Sequence, residues 1–179
     1  PRMDRKEVAD KVLERLKWAE ENIGNFTSED GKNTINQDCV RAALSRFTLR
    51  EGTWRKYHEL GDYEKYLQEC VRVSELLMKD YPILYKGTDN QPAAGYGEMW
   101  ISPDLEGIPG VIFYKSYVEN MNEHSMGHVE HTSSHYVEMS HNTVNLYLMK
   151  NGKPIMNETS GYHGEKDMYA EFRDRDPRL

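Results

Sequence analysis

The sequence predicts a mainly α protein, made of tetratricopeptide-like helical hairpins with long irregular loops and little β. Three observations carry that expectation. Apolar residues recur every three or four positions through most of residues 1–82, the spacing that places them on one helix face. Gly61-Asp62 leaves room for only a tight turn between two such stretches, so those helices pack antiparallel as a hairpin of tetratricopeptide size. After Pro82 the period gives way to scattered glycines and prolines. The expected organisation is a helical part over 1–82 and a loop-rich part over 83–179, with one short strand and one short helix, inside the same domain.

The first helix begins at Asp4, which with Glu7 has capping-box spacing, each side chain reaching a backbone N–H left free at a helix start. Val8, Val12, Leu16, Ala19 and Ile23 share a face, Gly24 supplies a stop, and 25–33 reads as a loop. Thr34 and Gln37 make a second capping box. From there Ile35, Cys39, Ala43 and Phe47 form a stripe with Val40, Ala42 and Leu44 beside it, and the helix continues through Trp54 and Tyr57 despite Gly52. Asp62 caps a third helix with the stripe Tyr63, Tyr66, Leu67, Cys70, Val73, Leu77 and Tyr81, closed by Pro82, because the residue before proline avoids helical geometry.

Residues 83–110 read as irregular, Val111 to Val118 as a strand from their β-branched and aromatic content, and Glu119 to Ser140 as a histidine-dense polar loop. Ser140 caps a short helix carrying Val144, Tyr147 and Leu148, although Val144, Leu146 and Leu148 also alternate as a strand would. Asn151-Gly152-Lys153-Pro154 is a turn, and the charged tail from Ile155 to Leu179 reads as extended. Irregular backbone on this scale is uncommon in a compact domain unless it binds something or leans on other structure.

Composition excludes several functions. Among 179 residues, 23 Lys+Arg against 30 Asp+Glu give a net charge of -7 with no basic stripe, so no nucleic-acid partner is expected. No stretch approaches the ~20 apolar residues that cross a bilayer. No signal peptide is evident and the chain opens on Pro1-Arg2, as a processed or trimmed chain would. Cys39 and Cys70 have neither disulfide-framework nor zinc spacing and read as free thiols or a single bridge between neighbouring helices. No oxygen-rich loop has the spacing of a calcium-binding EF-hand.

Histidines 124, 128, 131, 135 and 141 crowd one stretch. The pairs His124/His128 and His131/His135 have metal-ligand spacing, yet neither is an H-E-x-x-H, and Gly127 with the serines at 133 and 134 speaks against a helix there. Hydrogen bonding to a ligand or to backbone is the plainer role. Glu98, Asp104 and Glu106 lie in the irregular stretch, but a glycosidase needs two carboxylates at a set distance, which spacing in sequence does not supply. No catalytic residue, metal or cofactor is expected.

The aromatic set is amphipathic, with 12 Tyr and 3 Trp against 4 Phe. Such rings lay an apolar face on the C–H face of a sugar while their polar ends reach hydroxyls. Tyr85, Tyr96, Trp100, Tyr117, Tyr136 and Tyr162 fall in the irregular part, where each alternatively anchors a loop onto the helices.

Four segments together resemble one family. Arg41 to His58 looks like the helix entering the tetratricopeptide-like unit of SusD/RagB proteins, and Gly107-Ile108-Pro109-Gly110-Val111-Ile112-Phe113 resembles the lead-in to their post-helical strand. Tyr147-Leu148-Met149-Lys150-Asn151-Gly152-Lys153-Pro154-Ile155 is similar to their D/N-G-x-P-I element, and the chain ends in their R-D-P-R-L, Arg175-Asp176-Pro177-Arg178-Leu179 preceded by Asp174. The resemblance implies a partial SusD-like α/α superhelix, an internal stretch of a longer chain without its lipid-attachment cysteine or carboxy-terminal region.

It further implies a non-enzymatic, surface-exposed outer-membrane lipoprotein of Bacteroidetes-like bacteria. Such a protein captures an oligosaccharide or other nutrient for a SusC-type TonB-dependent transporter, touching the membrane only through a lipid anchor. Position in that plan selects Tyr117, Asn122, His124, His128 and Tyr136, with Trp100, as glycan contacts: aromatics to stack, Asn and His to bond hydroxyls. The competing expectations are a tetratricopeptide-like protein–protein scaffold with no small ligand and a metal-dependent hydrolase using the histidine loop.

Overall fold

The amphipathic first part forms three helices, α1 (Arg5–Ile23), α2 (Gln37–Tyr57) and α3 (Tyr63–Asp80), with a single 3-10 turn at Gly31–Asn33 between the first two. The computed structural model describes residues 2–24, 31–88, 92–131 and 138–179. Further along come α4 (Pro92–Ile101), α5 (Met126–His131), α6 (His141–Leu146) and α7 (Met168–Phe172). Among the described residues the fold is mainly helical, and the only β pairings are isolated bridges, Val118 with Asn122 and Met149 with Arg175. The chain divides into two compact units, Pro1–Tyr85 with Pro103–Ser116, and Lys86–Ser102 with Tyr117–Leu179.

In the first unit α2 packs on both α1 and α3. Val40, Leu44 and Val73 form the buried centre, with Leu13, Leu16, Ala19 and Ile23 of α1 against them. On α2 the buried face is Val40, Leu44, Thr48, Glu51 and Arg55, one residue round from the expected stripe. Ile35 is exposed and Ala43 lies outward. The stripe is displaced because two charged residues share the buried face, and counting apolar positions does not find them. Gly52 does not break α2. It is buried, and a Cβ there would stand 2.7 Å from Leu67 Cδ2, so its missing side chain lets α3 approach.

Charge networks close both ends of the bundle. Arg55, fully buried, donates to Glu51 Oε1 (2.8 Å), Asp10 Oδ1 (3.1 Å), Tyr66 Oη (3.1 Å) and the Lys6 carbonyl (3.2 Å). Arg5 adds a two-pronged bond to Glu51 at 3.1 and 2.7 Å. At the other end Glu20 is gripped by Arg72 and by Arg41 (3.1 Å), while Arg72 also holds Glu69 (2.7 Å). Such networks are strong only when nearly every donor and acceptor is used. Here they join α1 to α3 through long side chains.

Local starts differ from the sequence expectation in instructive ways. Asp4 caps α1 by accepting from Lys6 N (2.8 Å), but Glu7 pairs with Lys11 (3.1 Å). The cap of α2 is Asn36, not Thr34; its Oδ1 accepts from Asp38 N (3.0 Å) and Cys39 N (3.2 Å), while Thr34 N closes the 3-10 turn onto Gly31 O. Asp62 precedes α3 in a left-handed conformation that turns its carboxylate away from the helix to Lys6 Nζ, 2.8 Å. Both cysteines are free, and the Cys70 thiol donates to the Ser45 carbonyl.

Residues 111–118 form no strand, a correction to the expected β element; among the described residues their one β pairing is the isolated bridge of Val118 with Asn122. Their polar groups turn instead to the 3-10 turn: Tyr114 N donates to Lys32 O (3.2 Å), Ser116 N to Asn33 Oδ1 (2.9 Å) and Lys32 Nζ to Val111 O. In the same unit Asp104 Oδ1 accepts from Glu106 N (3.0 Å).

In the second unit α4 replaces the irregular chain expected around residues 92–101. Gly95 on α4 is buried against the backbone of Lys86 and Gly87, where any Cβ would collide, and Glu98 Oε2 accepts from Thr88 N (2.9 Å) and Thr88 Oγ1 (3.0 Å). Ser140 caps α6 as expected, accepting from Thr143 N (3.2 Å); of the two readings open there, the helix is the one adopted, and it ends before Tyr147. The tail is not wholly extended: Asp167 caps α7 through Ala170 N (2.8 Å).

Two segments far apart in sequence meet here. Lys150 N donates to Asp174 O (2.7 Å) and Asp176 N to Leu148 O (2.8 Å), around the Met149–Arg175 bridge. Arg175 is buried and its guanidinium donates to the carbonyls of Glu171 (3.1 Å), Val144 (2.7 Å) and Tyr147 (3.1 Å), capping the ends of α6 and α7 at once. Asn151-Gly152 is the expected turn, with Gly152 in the left-handed region and its N–H on Met149 O, 2.8 Å.

Candidate ligand site

The site residues that can be located lie on a turn and on a helix. Val118 and Asn122 exchange backbone bonds of 3.0 Å in each direction, and Asn120 occupies the left-handed region that a short polar side chain tolerates. This pinched turn sets Tyr117 beside His124. Their rings meet edge-to-face, centroids 4.5 Å apart at 89°. Tyr117 remains 54% exposed, and His124 is exposed. The packing fixes both rings while leaving Tyr117 surface open.

Hydrogen bonding also fixes the His124 tautomer. Met126 N donates to His124 Nδ1 (3.2 Å), so Nδ1 accepts and the neutral ring carries its proton on Nε2. The pair therefore presents an aromatic face beside an N–H donor, the combination that suits a hydroxylated ring. Asn122 is half-buried, and its backbone is committed to the turn.

His128 falls within α5, a helix the sequence reading argued against because of Gly127. His131 Nδ1 donates to Gly127 O (2.7 Å), which helps close this short helix. Only the backbone of His128 is described, and Tyr136 and His135 lie outside the described residues.

Trp100 stands on α4, 66% exposed, in a separate aromatic pair. Tyr96, four residues earlier and so on the same helix face, meets it edge-on at 6.0 Å and 71°, and the Arg178 guanidinium lies 6.0 Å from the Tyr96 ring centre. No ring contact among the described residues joins this pair to Tyr117 and His124. Tyr96 belongs with the candidates, and its signal was the i, i+4 spacing to Trp100, hidden by reading residues 83–110 as loop. Tyr162, by contrast, serves as an anchor: it is half-buried, with Arg175 5.5 Å from its ring centre, and burial pushes its hydroxyl pKa up.

The electrostatic perturbations of the bundle serve its fold, as does that of Asp176, whose pKa Arg178 holds at about 2. Burial opposes the Asp10 carboxylate, but the Tyr66 hydroxyl (2.7 Å), Lys65 (3.0 Å) and Arg55 outweigh it and hold the pKa at about 2. Glu20 and Glu51 are likewise opposed by burial and lowered on balance by their arginine partners. Tyr81, half-buried and donating to Asp38 (3.0 Å), is raised to about 12 by that burial and the carboxylate.

Among the described residues no three His, Cys, Asp or Glu side chains gather as a metal site, and no helix is long and apolar enough to cross a membrane. No protein-family model matches the chain, and neither a curated protein nor a solved structure matches it.

Proposed function

We propose that this chain is the helical middle of a SusD/RagB-type glycan-capture lipoprotein, which binds oligosaccharides at the cell surface for a SusC-type TonB-dependent transporter and catalyses no reaction. The observation that carries this reading is the Tyr117–His124 pair, an exposed aromatic edge held beside a fixed N–H donor. The exposed Tyr96–Trp100 pair adds a second surface of the same chemistry. Further support comes from the contact between two of the family-like segments, the Asn151 turn and the stretch around Arg175.

The test is affinity electrophoresis and calorimetry of the chain against a broad glycan panel. Retardation by at least one glycan is expected, with Tyr117→Ala and His124→Ala each weakening it by about tenfold, as loss of a ring contact and a hydrogen bond near 1.4 kcal/mol requires. Alanine variants with unchanged affinity would remove these residues from the site. No binding across the panel would favour the protein–protein scaffold. Stoichiometric zinc with chelator-sensitive hydrolysis would favour the metal-dependent hydrolase.

A further inference from the structure

Away from both aromatic pairs, the second unit holds a depression of about 260 Å³ lined by Met149, Lys150, Asn151, Ser160, Gly161 and Asp174. Its walls are the two family-like segments already seen to meet together with Ser160 and Gly161 from the chain between them, and they are fixed before any ligand arrives. Lys150 N is bonded to Asp174 O (2.7 Å), Asn151 Nδ2 to Ser160 O (3.0 Å), and buried Ser160 Oγ to Ile155 O (3.2 Å). Gly161 sits in the left-handed region with no atom within 4 Å of where a Cβ would be, so that part of the wall is bare backbone.

The polar groups at the rim converge on Asp174. One carboxylate oxygen lies 3.7 Å from Lys150 Nζ and the other 3.3 Å from His163 Nε2. Asp174 itself has a φ of 56°, a conformation unfavourable for a non-glycine residue that persists only when its surroundings impose it. They do so here: its neighbour Arg175 is locked onto three carbonyls. The same lock holds the Asp174 carboxylate, flanked by two donors, at the edge of a small preformed depression.

We infer that this depression is a second binding site, taking the vicinal diol of a neutral polyol of single-sugar size. A carboxylate accepts from two adjacent hydroxyls, while the Lys150 ammonium donates to their oxygens and His163 steadies the carboxylate. One Asp set against one Lys leaves no net charge to favour an ionic ligand. The volume falls just below the roughly 300–1,000 Å³ of sites for drug-sized ligands, which restricts the occupant to about one ring.

The test is amide NMR of the chain titrated with methyl α-mannoside and methyl α-glucoside, which carry cis and trans diols. Saturable shifts at Lys150, Asn151, Gly161 and Asp174 are expected in wild type, and they survive in Tyr117→Ala. Asp174→Asn, a residue that tolerates the same backbone conformation, should weaken them at least about tenfold. Lys150→Met provides a second arm that leaves the strained position untouched. Absence of shifts at these amides, or equal shifts in both variants, would overturn the inference. Shifts confined to residues 117–124 would do so while leaving the proposed glycan site standing. Shifts at the depression with silence at Tyr117 would support the second site and count against the first.

Discussion

Replacing Gly52 by alanine sets two known magnitudes against each other in the middle of α2. Alanine gains ~1 kcal/mol over glycine in a helix interior. Against this, the new methyl would stand 2.7 Å from Leu67 Cδ2, 2.9 Å from Leu67 Cγ and 3.2 Å from Tyr66 Cβ. The Leu67 side chain is half-buried and can rotate away in part. Tyr66 cannot, since it is fully buried and its hydroxyl is bonded to Asp10 and Arg55. Overpacking of this kind costs about 1–3 kcal/mol, so the clash outweighs the propensity and the net loss is about 1 kcal/mol. Urea denaturation followed by circular dichroism should show a midpoint lower by ~0.5 M at an unchanged slope of about 2 kcal/mol per molar. The mechanism has its own signature. In a Leu67→Ala background the two closest atoms are gone and only the 3.2 Å approach to Tyr66 Cβ remains, so Gly52→Ala should be close to neutral there, giving a coupling of about 1 kcal/mol. A raised midpoint in the otherwise wild-type chain, or no coupling to Leu67, would refute the close-approach role of Gly52.

Three further outcomes follow from the charged and capped positions. Arg55→Ala leaves buried Glu51 with Arg5 alone, removes the donor to Asp10 and empties a fully buried site, and should cost about 3 kcal/mol in denaturant unfolding, whereas replacing Glu51 and Arg55 together with apolar residues of similar volume should cost much less. The carboxyls of Asp10, Glu20 and Glu51 have folded-state pKa values below their ordinary 3.8 and 4.5, so their stabilisation is complete above that range and is lost as pH falls through the folded values. The unfolding midpoint should therefore fall between pH 4.5 and about 2, and Asp10→Asn should flatten that slope; a midpoint insensitive to acid would contradict the network. Arg175→Lys exchanges a planar fork for a point charge facing three carbonyls and should cost about 1–3 kcal/mol, read as faster amide exchange in α6 and α7.

How much of this was legible in the sequence depends on what held each element. The α3 stripe was read correctly because Tyr66 and Val73 are buried apolar positions at helical spacing. The buried face of α2 was displaced because Glu51 and Arg55, hydrophilic by type, occupy it as an ion pair. Helix α4 was missed because its glycines count as breakers, although Gly95 is there for a close backbone contact. The strand at 111–118 was expected from its residues, but a strand needs a partner, and composition does not reveal that its hydrogen bonds go to Lys32 and Asn33. At the candidate site, residue types pointed to Tyr117 and His124 one at a time. Their pairing depended on the turn at Asn120, which brings them together across a bridge that no periodicity announces.

The reach of Arg175 also dictates an order of events. Its bond to the Val144 carbonyl spans 31 residues, so α6 is synthesised well before the side chain that terminates it. Until then the carbonyls of Val144 and Tyr147 lack their guanidinium donor, and the chain between must wander before its ends close. A nascent chain halted short of this arginine would hold an unfinished unit, open to proteases and chaperones, whereas the charge networks between the three helices need nothing beyond Tyr81. Closure of the second unit thus waits on the segment around Arg175, and Arg175→Ala should leave α6 and α7 more open to proteolysis than in the wild-type chain.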